Sequence, residues 1–162
     1  MDSLEAHERD RLETLADYQF GAGAGATLFA GRLGVDRSGS GRPRQVHALE
    51  GAPRRLVSMG VDGRFTLGLA GGRRLHPEGP AVAVGEESVP YVREGRNAFA
   101  KFVRRVDDAV RPGDEVRVVR DGTLIGVGRA ELPADVMRGF ETGVAVSIRE
   151  GADDDGDTPG EG

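Results

Sequence analysis

Glycine and proline interrupt this chain so often that its apolar segments are short. The 162 residues contain 26 glycines and 8 prolines. Between residues 31 and 85, turn-forming stretches separate the β-type segments RQVHAL, RRLVSMGV, RFTLGLA and AVAVG. Beyond residue 98 the same texture returns in FAKFVRRVD, DEVRVVR, TLIGVGRAEL and GVAVSIRE. Segments of this length, bounded by glycine and proline, predict strands, so we expect small β-rich domains.

Two segments have the features of helices instead. Residues 3–17 start at Ser3, a residue type that caps helix N-termini, and place Leu4, Leu12 and Leu15 on a sparse apolar stripe. The later segment, PADVMRGF, begins with a proline, which the first turn of a helix accepts. Together with the strands, these helices predict the α+β fold class.

Length and residue content exclude several classes of protein. The chain suits one ordinary domain or two small ones, and it is too short for a catalytic barrel of roughly 250 residues. Without cysteine it has no disulfide and no thiolate zinc site, and His7, His47 and His76 show no metal-ligand spacing. It has neither a signal-peptide pattern nor an apolar run of the ~20 residues that span a membrane. We therefore expect a cytoplasmic protein with no cofactor and no metal.

Acidic residues are concentrated at the two ends of the chain. The formal net charge is -5, yet the first 20 residues hold six acids and two arginines, and residues 152–162 hold five acids and no base. The body between them has more basic than acidic residues. All but one of the 22 basic residues are arginines, and the exception is Lys101. The cytoplasm of a halophilic archaeon, or a GC-rich genome, favours this composition, so net charge does not exclude nucleic acid as a partner.

The stretch YQFGAGAGATLFAG, residues 18–31, has the glycine spacing of a phosphate-binding loop. Gly21, Gly23 and Ala26 fit the loose dinucleotide pattern G-x-G-x-x-G/A. That pattern needs a strand before the glycines and a helix after them, whereas here a charged helical segment precedes them and β-type segments follow. We therefore favour a structural interpretation, in which small residues let two backbone segments pack closely.

Catalytic residues are not recognisable in the sequence. The neighbouring acids Asp107 and Asp108 fit the turn DDAVRPGDEV better than a catalytic pair. Ser38 and Ser40 lie in a glycine-rich loop, and no histidine has the spacing of a partner base. The sequence therefore predicts a non-enzymatic protein.

Residues 92–151 carry the most specific pattern in the chain. Four pieces occur there in order, GRNAFAKFV, RPGDEVRVV, LIGVGRAEL and RGFETGVAV. Together they resemble the PUA domain, an RNA-binding module named for pseudouridine synthases and archaeosine transglycosylases. Upstream, LADYQFGAGAGATLF and DGRFTLGLAGGRRLHP are similar to the small domain that precedes PUA in the archaeosine tRNA-guanine transglycosylases. The resemblance extends over residues 15–151.

This resemblance implies two domains and a tail. Residues 1–86 would form a small mixed α/β pre-PUA domain with an N-terminal helix, and residues 87–151 would form a PUA β pseudo-barrel. Residues 152–162 have no apolar surface to bury and predict a disordered acidic tail. The transglycosylases also carry a catalytic barrel and a cysteine-rich zinc site. Because this chain is too short for the barrel and lacks cysteine, it resembles their tRNA-gripping C-terminal half as a separate protein, and base exchange is not expected.

In PUA domains the first helix, its glycine loop and neighbouring strands form the RNA-facing groove, so the resemblance implies RNA contacts in GRNAFAKF. The glycine would let the backbone approach a phosphate, and the cations would pair with phosphates. For Phe99 and Phe102 we favour core packing over base stacking, and Arg42 and Arg44 are weaker candidates elsewhere. The predicted RNA-binding residues are Arg93, Gly95, Arg96, Ala98, Phe99, Lys101, Arg104, Arg105 and Arg129.

Two functional hypotheses follow from the resemblance. The first is a non-catalytic protein that binds structured RNA, expected to be the acceptor end of tRNA, in association with tRNA modification. The alternative is a protein–protein adaptor that docks a separate tRNA-guanine transglycosylase or another modification enzyme. A small enzyme that completes another protein's site is a third and weaker hypothesis, and no membrane partner is expected.

Overall fold

The computed structural model describes residues 1–153, which form two compact units. The first unit comprises Met1–Gly79, and the second begins at Pro80. The sequence predicts the domain boundary after residue 86 instead. The units divide earlier because strand Ala81–Val84 pairs with two strands of the second unit, with Val103–Val106 in antiparallel and with Glu115–Arg120 in parallel orientation.

The first unit is an antiparallel sheet accompanied by three helices. Its strands are β1 Asp2–Ser3, β2 Leu33–Arg37, β3 Pro43–Ala48, β4 Arg54–Met59 and β5 Phe65–Leu67, and they follow one another in that order across the sheet. Its helices are α1 Ala6–Phe20, α2 Ala24–Leu28 and α3 Leu69–Leu75. The strands predicted in RQVHAL and RRLVSMGV are confirmed. The predicted strand RFTLGLA is wrong in its second half, where α3 begins.

Helix α1 begins at a capping box and not at Ser3. Glu5 is the N-cap residue, and the Glu8 side chain accepts a hydrogen bond from the Glu5 N–H at 3.1 Å. Ser3 is unavailable as a cap because it lies in β1, where it pairs with Gly34 of β2. The prediction of a helix in this region is confirmed, with a later start and a later end.

The core of the first unit combines one face of α1 with buried sheet positions. Along α1 the buried residues recur every four positions, at Leu12, Ala16 and Phe20. The central strand β3 contributes Val46, which pairs across the sheet with Val35 and Val57, and all three are buried. The rings of Phe29 and Phe65 meet with their centroids 5.6 Å apart.

The glycine-rich stretch joins α1 to α2. Gly21 and Gly23 have φ angles of 117° and 86°, a region that glycine adopts without strain. Gly25 lies so close to α1 that a Cβ there would be 2.2 Å from the carbonyl oxygen of Glu13. The N–H of Gly25 donates to Asp17 Oδ1 at 2.7 Å. Close packing of two backbone segments, the structural interpretation of this stretch, is therefore confirmed at Gly25.

The second unit is a six-stranded, nearly closed pseudo-barrel. Its strands are β6 Ala81–Val84, β7 Ala98–Phe99, β8 Val103–Val106, β9 Glu115–Arg120, β10 Thr123–Ala130 and β11 Val144–Gly151. They lie in the order β7-β11-β10-β9-β6-β8, and of the strand pairs up to residue 153 only β6–β9 is parallel. Helices α4 Val89–Arg93 and α5 Ala134–Gly139, and 3₁₀ turns at Glu86–Ser88 and Ala100–Phe102, complete it. The α+β fold class is confirmed.

The C-terminal end of the second unit lies beyond the predicted limit of residue 151. Ala152, predicted as the first residue of the disordered tail, is buried. Its N–H donates to the Ile125 carbonyl at 2.9 Å, and its own carbonyl accepts from Arg93 Nη1 at 2.8 Å. The tail prediction is therefore wrong at residue 152, because these two bonds hold it against the barrel. Residues 154–162 of the predicted tail lie outside the described residues.

Candidate functional site

The second unit has a surface groove of about 820 Å³. Three chain segments form it: the 3₁₀ turn and α4, the turn through β7 that follows, and the loop that leads into β11. Its volume is in the range of small-molecule and cofactor sites. The groove is lined by Ser88, Tyr91, Gly95, Arg96, Asn97, Phe99, Lys101, Phe102, Glu141, Thr142 and Gly143.

Gly95 makes the turn that opens the groove at the end of α4. Its φ is 87°, and its N–H donates to the Val92 carbonyl at 2.9 Å. The next N–H, of Arg96, donates to the Tyr91 carbonyl, also at 2.9 Å. A Cβ on Gly95 would meet no atom within 4 Å, so the space beside this backbone is open. A ligand can approach the main chain closely here.

Two cations of the groove are supported by aromatic rings. The Arg96 guanidinium carbon lies 5.3 Å from the centroid of the Tyr91 ring, and Lys101 Nζ lies 5.0 Å from that of Phe102. Both distances are typical of cation–π contacts. Both side chains are exposed, and within residues 1–153 neither forms a salt bridge with a carboxylate. Their charges are therefore available to an anionic ligand.

Aromatic surface is the second chemical property of the groove. Phe99 is 45% exposed and Tyr91 is 51% exposed. Phe99 points outward because the two residues of β7 alternate, which puts its neighbour Ala98 into the core. Core packing, the interpretation favoured for Phe99 from the sequence, is therefore wrong, whereas Phe102 is half-buried. Exposed rings of this kind are the usual platforms on which unpaired bases stack.

The structure brings together four of the predicted residues, namely Gly95, Arg96, Phe99 and Lys101. The other five do not line the groove. Ala98 is a core residue, and Arg93 donates to the Ala152 carbonyl. Arg105 is an exposed residue of β8, where it pairs with Ala83.

Arg104 and Arg129 are committed to carboxylates outside the groove. Arg104 Nη2 lies 3.1 Å from Glu87, and Arg129 Nη2 lies 3.0 Å from Glu131. Glu131 also accepts a hydrogen bond from the Ser147 hydroxyl at 2.7 Å. This hydroxyl, together with Arg129, lowers the pKa of the Glu131 carboxyl. The guanidinium groups of Arg104 and Arg129 are therefore paired with carboxylates on the surface of the second unit.

Sequence reasoning missed several residues of the lining. Ser88 and Tyr91 lie in EESVPYVREG, a stretch predicted only as a junction. Glu141 and Thr142 lie in RGFETGVAV, more than 35 residues beyond the glycine loop, and no local pattern joins the two segments. Asn97 lies in the motif GRNAFAKF but was not among the predicted residues. Its Oδ1 accepts a hydrogen bond from the Ile148 N–H at 3.2 Å, so its amide NH₂ points away from that bond.

Metal and membrane features are absent from the described part of the chain. Among residues 1–153, no group of three or more histidine, cysteine, aspartate or glutamate residues could hold a metal ion. Over the same residues, no helix has both the length and the apolar character needed to cross a membrane.

Two family models match the chain, one for each unit. The model described as patch-forming domain C2 of tRNA-guanine transglycosylase matches residues 10–81, and that of the PUA domain matches residues 80–152. Among curated proteins, the tRNA-guanine(15) transglycosylase of Methanothermobacter thermautotrophicus is 40% identical over 148 residues, which is 88% of this chain and 22% of that protein. The enzyme of the same name from Thermococcus kodakarensis is 37% identical over 151 residues, 90% of this chain and 25% of that protein. The chain thus spans about a quarter or less of these relatives.

Solved structures share the fold of both units. A hypothetical protein from Pyrococcus horikoshii OT3 superposes with a TM-score of 0.71 at 18% identity, and the match covers 93% of each chain. A conserved PUA domain protein from Thermoplasma acidophilum superposes with a TM-score of 0.66 at 22% identity, covering 93% of this chain and 92% of that one. These similarities support the arrangement of a small α/β unit followed by a PUA pseudo-barrel.

Proposed function

We propose that this chain, whose units match the models of the transglycosylase C2 domain and of the PUA domain, binds structured RNA in association with tRNA modification. The groove of the second unit is the proposed binding surface. One observation carries the proposal. Arg96 and Lys101 lie exposed in the groove, each against an aromatic ring and neither engaged in a salt bridge within the described chain.

The chemistry of the groove suits a single RNA strand. Phosphates would pair with Arg96 and Lys101, and the open backbone at Gly95 would let a phosphate or ribose come close. Phe99 and Tyr91 would stack against bases, which is possible only where the bases are unpaired. For this reason we propose the single-stranded 3′ acceptor end of tRNA as the ligand, and not a duplex stem.

We propose that this chain binds without catalysing base exchange. The two matched domains account for at most 25% of the length of the first two transglycosylases, and the rest of those enzymes has no counterpart in the match. Among the described residues, the groove lining has one carboxylate, Glu141, and no histidine. Its side chains supply cations, rings and hydrogen-bond donors, which hold a ligand but do not form an acid–base pair.

Fluorescence anisotropy with labelled tRNA tests the proposal. We expect the chain to bind intact tRNA, and to bind the same tRNA trimmed of its single-stranded 3′ end about tenfold less tightly or worse. Equal affinity for intact and trimmed tRNA would contradict the acceptor-end assignment. Absence of binding to any structured RNA at low salt would contradict the whole proposal and favour the protein-docking hypothesis.

A footprint at Lys101 tests where the RNA binds. Because this is the only lysine, an amine-acylating reagent has two targets in the chain, Lys101 Nζ and the α-amino group of Met1. Bound tRNA should slow acylation of Lys101 and leave that of Met1 unchanged, as measured by mass spectrometry of the digested protein. Protection of Met1 alone would place the RNA away from the groove.

A further inference from the structure

Residues 154–162, here called the acidic segment, have a charge opposite to that of the groove cations. The sequence of the segment, DDGDTPGEG, contains four acids and no basic residue. In the groove, Arg96 and Lys101 are exposed and form no salt bridge within residues 1–153. At physiological salt, opposite charges attract each other over about 8 Å. The acidic segment and the groove therefore interact only if the chain brings them close together.

The acidic segment starts beside the end of α4. Gly151 is packed so closely there that a Cβ would lie 2.2 Å from the Val92 carbonyl oxygen and 2.3 Å from that of Arg93. The Ala152 carbonyl then accepts a hydrogen bond from Arg93 Nη1 at 2.8 Å. These contacts hold the chain against the last turn of α4 immediately before the segment begins.

The groove begins a few residues beyond the same point. Arg96 follows Arg93 by three residues, which span at most about 11 Å, and Lys101 lines the same groove. The nine residues of the acidic segment span up to about 30 Å when extended. The carboxylates can therefore reach both cations. A tether this short also raises their effective concentration at the groove to the order of millimolar.

We propose that the acidic segment docks on the groove, with its carboxylates on Arg96 and Lys101, and competes there with the phosphates of RNA. The competition rests on the proposed function, whereas the docking needs only the opposite charges and the tether. Carboxylates accept charge-assisted hydrogen bonds from arginine and lysine, as phosphates do. The segment therefore acts as an intramolecular mimic of the RNA backbone, and it lowers the apparent affinity of the groove for RNA.

The composition of the acidic segment makes this docking reversible. The segment contains no aromatic residue, so it has nothing to stack on the exposed rings of Tyr91 and Phe99. RNA brings bases as well as phosphates, and exposed rings are platforms on which bases stack. RNA therefore displaces the segment through contacts that the segment lacks. Because the docking consists of charge pairs at an exposed surface, salt weakens it.

Zero-length crosslinking of the RNA-free protein tests the docking. A carbodiimide joins a carboxylate to a primary amine in contact with it, and the primary amines of this sequence are Lys101 Nζ and the α-amino group of Met1. At low salt we expect amide bonds between Lys101 and the acidic segment in the monomeric fraction, identified by mass spectrometry. They should disappear near 1 M salt, where the Debye length is about 3 Å. Crosslinks of Lys101 to Glu141 alone, or no crosslink of Lys101, would contradict the docking.

Single arginine variants separate docking from proximity along the chain. Arg96→Ala should reduce the yield of the crosslink between Lys101 and the acidic segment about threefold or more, because one of the two cations that hold the segment is lost. Arg111→Ala is the control, since Arg111 is an exposed residue of the same unit that does not line the groove, and it should leave the yield unchanged. Equal yields in both variants and wild type would mean that the tether alone brings the segment to Lys101, and the proposal would be wrong.

Anisotropy titrations with tRNA test the competition. One variant neutralises the acidic segment by Asp154→Asn, Asp155→Asn, Asp157→Asn and Glu161→Gln. Its charge-matched control removes four exposed acids of the first unit by Asp10→Asn, Asp36→Asn, Asp62→Asn and Glu78→Gln. The first variant should bind tRNA about threefold to tenfold more tightly than the control at low salt, and equally near 1 M salt.

Equal gains of tRNA affinity in these two variants would indicate general charge repulsion and would contradict the competition. Addition of tRNA to the wild type should also reduce the crosslink between Lys101 and the acidic segment. If the wild type and both variants bind no tRNA, the proposed function fails, whereas the crosslinks of the RNA-free protein still decide whether the segment docks.

Discussion

The arginines of the first unit and the cations of the groove differ in what they contact. Arg37 donates to both carboxylate oxygens of Glu8, at 2.6 and 2.8 Å, and Arg74 donates to the carbonyls of Leu28 and Ala30. Arg37 thus joins β2 to α1, and Arg74 joins α3 to α2 and to the residues that follow α2. Among the described residues, the charged groups of Arg96 and Lys101 contact the rings of Tyr91 and Phe102 and form no salt bridge. Arg37 and Arg74 therefore stabilise the fold, whereas Arg96 and Lys101 keep their charge available to a ligand.

The same contrast holds for glycine. Gly25 is packed against the backbone of α1, where a side chain would collide with Glu13. Gly95 faces open space, and its positive φ shapes the turn at the mouth of the groove. Gly25 therefore contributes to stability by allowing close packing, whereas Gly95 leaves room beside the backbone for a ligand.

Gly25→Ala should strongly destabilise the first unit. The new Cβ would lie 2.2 Å from the Glu13 carbonyl oxygen and 2.5 Å from its Cα, and these are backbone atoms that cannot move without shifting α1. We expect the free energy of unfolding to fall by about 3 kcal/mol, at the upper end of the cost of overpacking. Urea unfolding followed by circular dichroism measures it.

Gly39→Ala is the matched control for this change. Gly39 has no atom within 4 Å of its would-be Cβ and no positive φ, so alanine should change stability by less than about 0.5 kcal/mol. Comparable losses in the two variants would mean that chain flexibility, and not contact with α1, explains Gly25. The close-packing account would then be wrong.

Arg96→Ala combined with Lys101→Ala should remove most RNA affinity and little stability. Two charge-assisted contacts to phosphate are lost, so tRNA should bind about 10- to 100-fold more weakly at low salt. The slope of affinity against salt should fall by about 2, one for each phosphate contact. Stability should change little because exposed cation–π contacts contribute only about 0.5–1 kcal/mol each. Titrations at several salt concentrations measure both.

Arg111→Ala combined with Arg120→Ala is the charge-matched control. Arg111 is exposed, Arg120 pairs with the neighbouring Asp121, and neither residue lines the groove. This variant loses the same formal charge from the same unit and should retain nearly all RNA affinity. An equal loss in both double variants would indicate binding through general positive charge, and would remove the distinction between the groove and the rest of the surface.

The sequence predicted elements well where local rules decide the backbone. Short β-type runs between glycines gave β3 and β4 within a residue or two, because alternating burial and turn residues act locally. Ser3 was a wrong cap because its pairing with β2, 30 residues away, decides its conformation. The domain boundary lies earlier than residue 86 for the same reason: AVAVG is a strand by local pattern, but its pairing with β8 and β9 assigns it to the second unit.

The candidate site was predictable in part. The motif GRNAFAKF supplied Gly95, Arg96, Phe99 and Lys101, since one continuous turn presents them. Glu141 reaches the groove only because β11 pairs with β7, a contact between distant segments. Ser88 has the local pattern of a helix cap, and only the structure shows that its hydroxyl caps nothing. The sequence also could not distinguish arginines that join elements of the fold, such as Arg37, from those whose charge is available to a ligand, such as Arg96.

Stability should depend on pH through the pair Glu8–Arg37. The Arg37 guanidinium, which donates hydrogen bonds to Glu8, lowers the pKa of this carboxyl from 4.5 to about 2. The folded state therefore binds the proton less readily than the unfolded state, so the stabilisation is complete above pH 4.5 and is lost as pH falls toward 2. Glu8→Gln should unfold at a lower temperature at pH 7, and the gap to wild type should close as pH falls through this window. The control Asp10→Asn, an exposed acid of the same helix, should follow wild type throughout, and a constant gap for Glu8→Gln would contradict the linkage.

Glu141→Gln should produce the smallest change, and an increase in RNA affinity. Glu141 is an exposed carboxylate of the groove lining, so it would repel phosphates bound at Arg96 and Lys101, weakened by the salt in the solvent. Removing its charge while keeping its shape should strengthen tRNA binding about twofold to threefold at low salt. The gain should disappear near 1 M salt, where the Debye length is about 3 Å. The exposed Glu78 of the first unit provides the control, because Glu78→Gln changes the net charge equally without altering the groove. A similar gain in both variants, or no gain at Glu141, would mean that phosphates do not occupy the part of the groove beside this carboxylate.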